Sequence, residues 1–171
     1  DDQAKPDVGL REVERMIKSE RTQIIAGTMA SNVMMAIAKV ITDANVVLVG
    51  TNAGPAPLAG EQCNPLFVSA SFMNDQNAEA TGELVTKDGV KSVYLIAPNY
   101  QAGKDNVAGF QRTYKGKVAG TALVKLGESD FQADFAKVRA RAPEAVFVFA
   151  PGAMGVSFMK QCASSGLGKT I

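Results

Sequence analysis

Ser31 has the clearest chemistry to offer. It follows the apolar run Ile24–Gly27 and the residues Thr28-Met29-Ala30, and it opens the stretch SNVMMAIAKVITD, whose spacing predicts a helix. A serine at that point suits a helix N-cap, its hydroxyl accepting from an N–H of the first turn. It equally suits a ligand anchor, because the free N–H groups and the positive end of the helix dipole favour a carboxylate or phosphate. Spacing alone leaves both roles open. Three other loops of small residues follow apolar runs in the same way. Thr51-Asn52-Ala53-Gly54-Pro55 follows VVLVG; it reads as a turn, or as a place where backbone at Ala53 and Gly54 approaches a ligand, as glycine permits. Tyr100 lies in APNYQAGKD, either as a partly exposed ring or as a flat amphipathic wall for a ligand. Gly152 lies in APGAMG, a weak match to a dinucleotide fingerprint with no acidic residue at the spacing a ribose contact needs. Asp1-Asp2 has no phosphoacceptor aspartate at the end of the next strand, VVLVGTNAG, so a phospho-receiver reading is discounted.

Composition removes several alternatives. There is no histidine, so Ser-His-Asp and Cys-His catalysis and His-ligated metals are excluded. The two cysteines, Cys63 and Cys162, are too far apart for a CxxC pair and form no zinc pattern. They read as two buried thiols rather than a disulfide. The net charge of +1 gives no footprint for nucleic acid or an acidic membrane surface. Lysine and arginine often stand beside acids, as in REVERMIKSER and DFAKVRARAPE, the pattern of solvated helix faces. The methionines Met29, Met34, Met35, Met154 and Met159 read as core filler. No catalytic residue, metal site or cofactor is expected, and no apolar run reaches the ~18 residues of a membrane span.

The elements that must position these loops alternate. Helices are expected at 7–20, 31–43, 75–88, 104–115, 130–141 and 154–165. Strands are expected at 22–26, 46–50, 66–71, 91–97, 117–125 and 145–150. Strand–helix alternation with short loops predicts parallel sheets with right-handed crossovers. In such sheets, ligands bind outside the carboxyl ends of the strands, where all four loops fall. The stretch LFVSASFMND is neither a clean strand nor a helix and is the expected boundary. Residues 1–71 are assigned to one α/β lobe and 72–171 to a second. Both ends of the chain read as cuts within a longer architecture, so both doubly wound parallel-sheet lobes are expected to be incomplete.

The opening DDQAKPDVGLREVERMIKSERTQIIAGTMASNV, the segment APNYQAGKDNVAGFQ and the closing FMKQCASSGL together resemble the periplasmic type I solute-binding proteins of ABC transporters. The branch resembled is the one that takes branched-chain amino acids and other hydrophobic carboxylates, including aromatic acids. The resemblance implies a non-enzymatic receptor that closes two lobes on a small-molecule carboxylate and delivers it to a membrane permease, with no cofactor and a periplasmic location. A signal peptide upstream would fit that role. A transmembrane helix or kinase-like region would instead favour a ligand-sensing domain of the same fold. By the resemblance, Ser31 is the serine that hydrogen-bonds the carboxylate and Ala53 contributes backbone. Gly54 stands where amino-acid binders often carry threonine. Ala102 stands where the family often has tyrosine, with Tyr100 two residues earlier, and Pro151-Gly152-Ala153 replaces a second aromatic position. These departures predict a larger, less polar pocket, better suited to an aromatic carboxylate than to leucine. The expected lack of a complete lobe also predicts that the 171-residue chain binds poorly alone and self-associates.

Overall fold

The computed structural model describes residues 1–169. The chain forms two compact units, Asp1–Asn77 and a second from Ala78 onward. The boundary falls six residues later than the expected 71/72 division. The physical reason is that residues 72–74 are bonded to the first unit: the Asn74 N–H donates to the Gly54 carbonyl at 2.7 Å, and its side chain bonds Ser31.

In the first unit, α1 (Pro6–Lys18) leads into β1 (Ile24–Gly27), α2 (Ser31–Asp43), β2 (Val47–Gly50) and β3 (Phe67–Ser69). A short 3₁₀ turn, Ala56–Ala59, punctuates the Gly/Pro loop between β2 and β3. The three strands are parallel in the order β1-β2-β3, with Ile25 opposite Leu48 and Leu48 opposite Phe67. Strand side chains alternate between faces. One face carries Ile25, Leu48 and Phe67, which pack with Val13 of α1 and with Val33, Met34, Ile37 and Ile41 of α2. On the other face, Ile24 is 63% exposed and Val68 53%. A parallel sheet is normally covered on both faces; this one is covered on one. Ion pairs lie on the exposed faces of α1 and α2, among them Arg11–Asp7, Lys18–Glu14 and Lys39–Asp43, as the charge pattern predicts.

The second unit contains most of α3 (Gln76–Lys87), then β4 (Ser92–Pro98), α4 (Gln101–Thr113), β5 (Lys117–Val124), α5 (Gln132–Arg141), β6 (Ala145–Val148) and α6 (Ala153–Ser165). Its parallel sheet runs β5-β4-β6. Here both faces are covered, and β4 shows it residue by residue. Val93 and Leu95 pack with Ala78, Phe110 and Tyr114 from α3 and the end of α4. Tyr94 and Ile96 pack with Phe131, Phe135, Val138, Met154 and Phe158 on the opposite side. Phe158 meets Phe131 and Phe135 edge-on, with ring centroids 5.3 and 5.2 Å apart, a favoured aromatic geometry.

Every expected helix and strand is present; α2 matches the expected 31–43 end for end, and the others have shifted ends. The largest shift is at α4, which starts at Gln101 rather than 104. Gly103 makes that early start possible: a Cβ there would lie 1.8 Å from the Pro98 carbonyl oxygen, so only glycine lets the first turn fold back onto the strand end. Cys63 is exposed, against the expectation of a buried thiol, and Cys162 is partly buried; both are free. Met34 and Met154 are core residues, whereas Met29 and Met159 are 75% and 63% exposed, so the methionines are only partly core filler. No described helix is long and apolar enough to cross a membrane.

Candidate functional site

In the first unit the ends of all three strands converge on the start of α2. The loops after β1 and β2 are stitched together. The Thr51 N–H donates to the Gly27 carbonyl at 3.3 Å, the Ala53 N–H to the Thr28 carbonyl at 3.0 Å, and Asn52 Nδ2 to the Met29 carbonyl at 3.2 Å. The loop after β3 closes the corner through Asn74 and Gly54. The N-terminal loop buttresses it from the side, with Thr28 Oγ1 donating to the Asp2 carboxylate and Asn32 Nδ2 to the Ala4 carbonyl.

Ser31 is 2% exposed at this corner. It is not the N-cap. Ala30 is, with extended backbone and no side-chain cap, and Ser31 is the first helical residue. The first intrahelical N–H bonds run from Val33 and Met34 to the Ala30 carbonyl, so the N–H groups of Ser31 and Asn32 fall in the turn that an α-helix leaves without intrahelical partners. The Ser31 hydroxyl is held by Asn74 instead of by its own helix: Asn74 Nδ2 donates to Ser31 Oγ at 3.1 Å, and Ser31 Oγ donates to Asn74 Oδ1 in a longer bond of 3.5 Å. The first turn carries no acidic residue. Helix N–H groups, a fixed hydroxyl and a positive dipole end are each features that favour an anion such as a carboxylate or phosphate.

Ala53 and Gly54 lie at this corner with Ser31. Ala53 is 2% exposed and its N–H is already spent on Thr28, so the backbone group it has for a ligand is its carbonyl. Gly54 corrects the sequence argument. A Cβ at Gly54 would lie 2.3 Å from the Phe72 carbonyl oxygen and 3.0 Å from Met73 Cα. The space a threonine would need is occupied by the backbone of residues 72–73. At this position glycine reflects close chain packing, not an enlarged pocket.

In the second unit, Tyr100 and Gly152 stand at the carboxyl ends of neighbouring strands. Ile96 is paired with Val148, and each site residue lies four positions beyond. Tyr100 is the half-buried N-cap residue of α4, and burial pushes its phenol pKa up. Gly152 caps α6 with φ +58°, a left-handed conformation that favours glycine, and nothing lies within 4 Å of where its Cβ would be. Ala102 is buried in the first turn of α4, its carbonyl accepting from Asn106 Nδ2 at 2.8 Å, so it faces packing rather than an open wall. Asp105 is also buried on α4 and accepts from Gln101 Nε2 at 2.8 Å. No group of His, Cys, Asp and Glu among the described residues could hold a metal ion.

Sequence reasoning missed Asn74. A polar pair, Asn74-Asp75, stands just before a helix, and that was the one available signal. Nothing local connects it to a serine 43 positions earlier.

Parallel sheets with small-residue corners at the carboxyl ends of their strands place the candidate residues where open α/β folds bind ligands. The chain belongs to the periplasmic binding protein family, whose model matches residues 1–171. It is 25% identical over 169 residues to a Leu/Ile/Val-binding protein homolog 6 of Brucella melitensis, covering 96% of this chain and 43% of that protein. A solute-binding protein of an R. palustris ABC transporter, solved in complex with benzoate, superposes with a TM-score of 0.93 at 29% identity, covering 98% of this chain and 48% of that one. Another, from Rhodopseudomonas palustris BisB5 in complex with 3,4-dihydroxybenzoic acid, gives 0.90 at 30% identity, covering 99% and 47%. The chain thus spans about half the length of the relatives it matches.

Proposed function

We propose that this chain is the ligand-capturing part of an extracytoplasmic solute-binding receptor of an ABC importer. The ligand is a small aromatic carboxylate of the benzoate type. It acts by binding rather than catalysis: differential affinity for open and closed states turns capture into delivery to a membrane permease. The carboxylate sits at the start of α2, taking the Ser31 hydroxyl and the first-turn N–H groups. In the second unit, Tyr100 and the open backbone around Gly152 are the candidate ligand contacts. The observation that carries this reading is the buried Ser31 hydroxyl, fixed by Asn74 beside the first-turn N–H groups of α2.

Aromatic acids are preferred over branched-chain amino acids for two reasons. The relatives in complex with benzoate and 3,4-dihydroxybenzoic acid are 29% and 30% identical, against 25% for the Leu/Ile/Val-binding homolog. Position 54 also has no room for the threonine hydroxyl that amino-acid binders often carry. Native mass spectrometry of the full-length protein against a panel of amino acids and benzoates tests this. A 1:1 adduct with a benzoate is expected; adducts with aliphatic amino acids alone would overturn the ligand assignment.

A further inference from the structure

Resting on the carboxylate reading of Ser31, we infer that Asn74 is a positioning residue that commits the Ser31 hydroxyl to donate to the ligand. A serine hydroxyl has one proton and two lone pairs. The nearer atom of the Asn74 amide is its nitrogen, 3.1 Å from Ser31 Oγ, against 3.5 Å for the oxygen. The amide nitrogen donates to a lone pair on Oγ, and the Oγ proton reaches Asn74 Oδ1 only through the longer 3.5 Å bond, well beyond the usual O–H···O range, so an incoming anion takes that proton in its place. Hydrogen bonds in such a chain polarise one another, so donation from Asn74 makes Ser31 a stronger donor to a carboxylate.

The backbone holds the amide in place. The Asn74 N–H donates to the Gly54 carbonyl at 2.7 Å, and Gly54 admits residues 72–73 because it has no Cβ. Asn74 thus ties the end of β2 to the start of α2. It also lies two residues before α3, the helix that crosses from the first unit into the second at Asn77/Ala78. Occupation of the Ser31 corner is consequently linked through one side chain to the segment that leaves the first unit.

The test is a double-mutant cycle in the full-length protein, read by calorimetric titration with benzoate. Asn74→Ala is expected to weaken benzoate about tenfold, the size of one hydrogen bond to a charged partner. In a Ser31→Ala background the same change should cost less than about twofold, because the group it positions is gone. A merely structural asparagine would weaken binding equally in both backgrounds. The near-isosteric Asn74→Asp guards against misfolding. Its carboxylate would capture the serine proton and repel the ligand, so benzoate binding should fall further than in Asn74→Ala. Loss of affinity in Ser31→Ala with additive or absent effects at Asn74 would overturn the positioning role and leave the functional reading standing. A wild-type protein that binds no benzoate would overturn the functional reading itself.

Discussion

Replacing Gly54 with alanine separates two explanations of the same residue. If glycine there is a missing wall, a methyl group should be harmless and a threonine should move the ligand preference toward amino acids. The structure indicates otherwise. The added Cβ would meet the Phe72 carbonyl oxygen at 2.3 Å, the Phe72 carbonyl carbon at 3.1 Å and Met73 Cα at 3.0 Å. All three are main-chain atoms, so no rotamer change relieves them, and residues 72–74 must shift outward. Forcing an extra carbon into packed surroundings costs typically 1–3 kcal/mol. The shift also lengthens the 2.7 Å bond from the Asn74 N–H to the Gly54 carbonyl, worth about 1 kcal/mol. The expected destabilisation is about 2–4 kcal/mol, read as a lower urea midpoint at unchanged slope. Benzoate affinity should fall as well, because Asn74 is carried away from Ser31. Wild-type stability in Gly54→Ala, or gain of leucine binding in Gly54→Thr, would refute the close-packing argument.

Other outcomes follow from the same geometry. Tyr100→Ala should reduce affinity for benzoates more than for small aliphatic acids, by about 0.5–1.5 kcal/mol beyond area burial; equal losses in calorimetry would remove Tyr100 from the site. The 171-residue chain made by itself should self-associate, because one face of its first sheet leaves Ile24 63% and Val68 53% exposed and exposed apolar surface of that kind pairs with other surfaces; a monodisperse monomer in analytical ultracentrifugation would contradict this. Burial raises the phenol pKa of Tyr100, and burial followed by the nearby Glu144 charge raises that of Tyr114. A group with a raised folded pKa contributes stability that is present below its unfolded pKa, about 10 for tyrosine, and lost as pH climbs through the folded value. Stability should therefore decline above pH ~10, with Tyr100 and Tyr114 ionising later than free tyrosine in an ultraviolet titration.

The alternation of helices and strands was legible because it is local. IIAG, VVLVG and SVYLIA are apolar runs of strand length, and glycine-rich loops follow them. Strand register and sheet order required the structure. The features left open or misread were long-range. Ser31 stayed open between cap and anchor because a small polar residue at a helix start suits both, and its partner Asn74 lies 43 residues away. Gly54 looked like a deleted side chain because its steric neighbour, Phe72, is 18 residues distant and contributes only backbone. Cys63 was placed inside because free cysteines are among the most buried residue types, a tendency that a Gly/Pro/Asn loop overrides. Tyr100 and Gly152 were identified as strand-end residues from their positions after SVYLIA and AVFVF. Their common level on adjacent strands depends on the pairing of Ile96 with Val148, which no local pattern records.

The central claim is that the start of α2 binds a carboxylate through Ser31. Calorimetric titration of benzoate and of leucine into wild-type and Ser31→Ala full-length protein measures it directly. The account predicts benzoate binding at micromolar affinity or tighter, weaker binding of leucine, and a loss of about 1–3 kcal/mol for benzoate in Ser31→Ala, the cost of removing one partner of a desolvated charged group. Unchanged benzoate affinity in Ser31→Ala would contradict it.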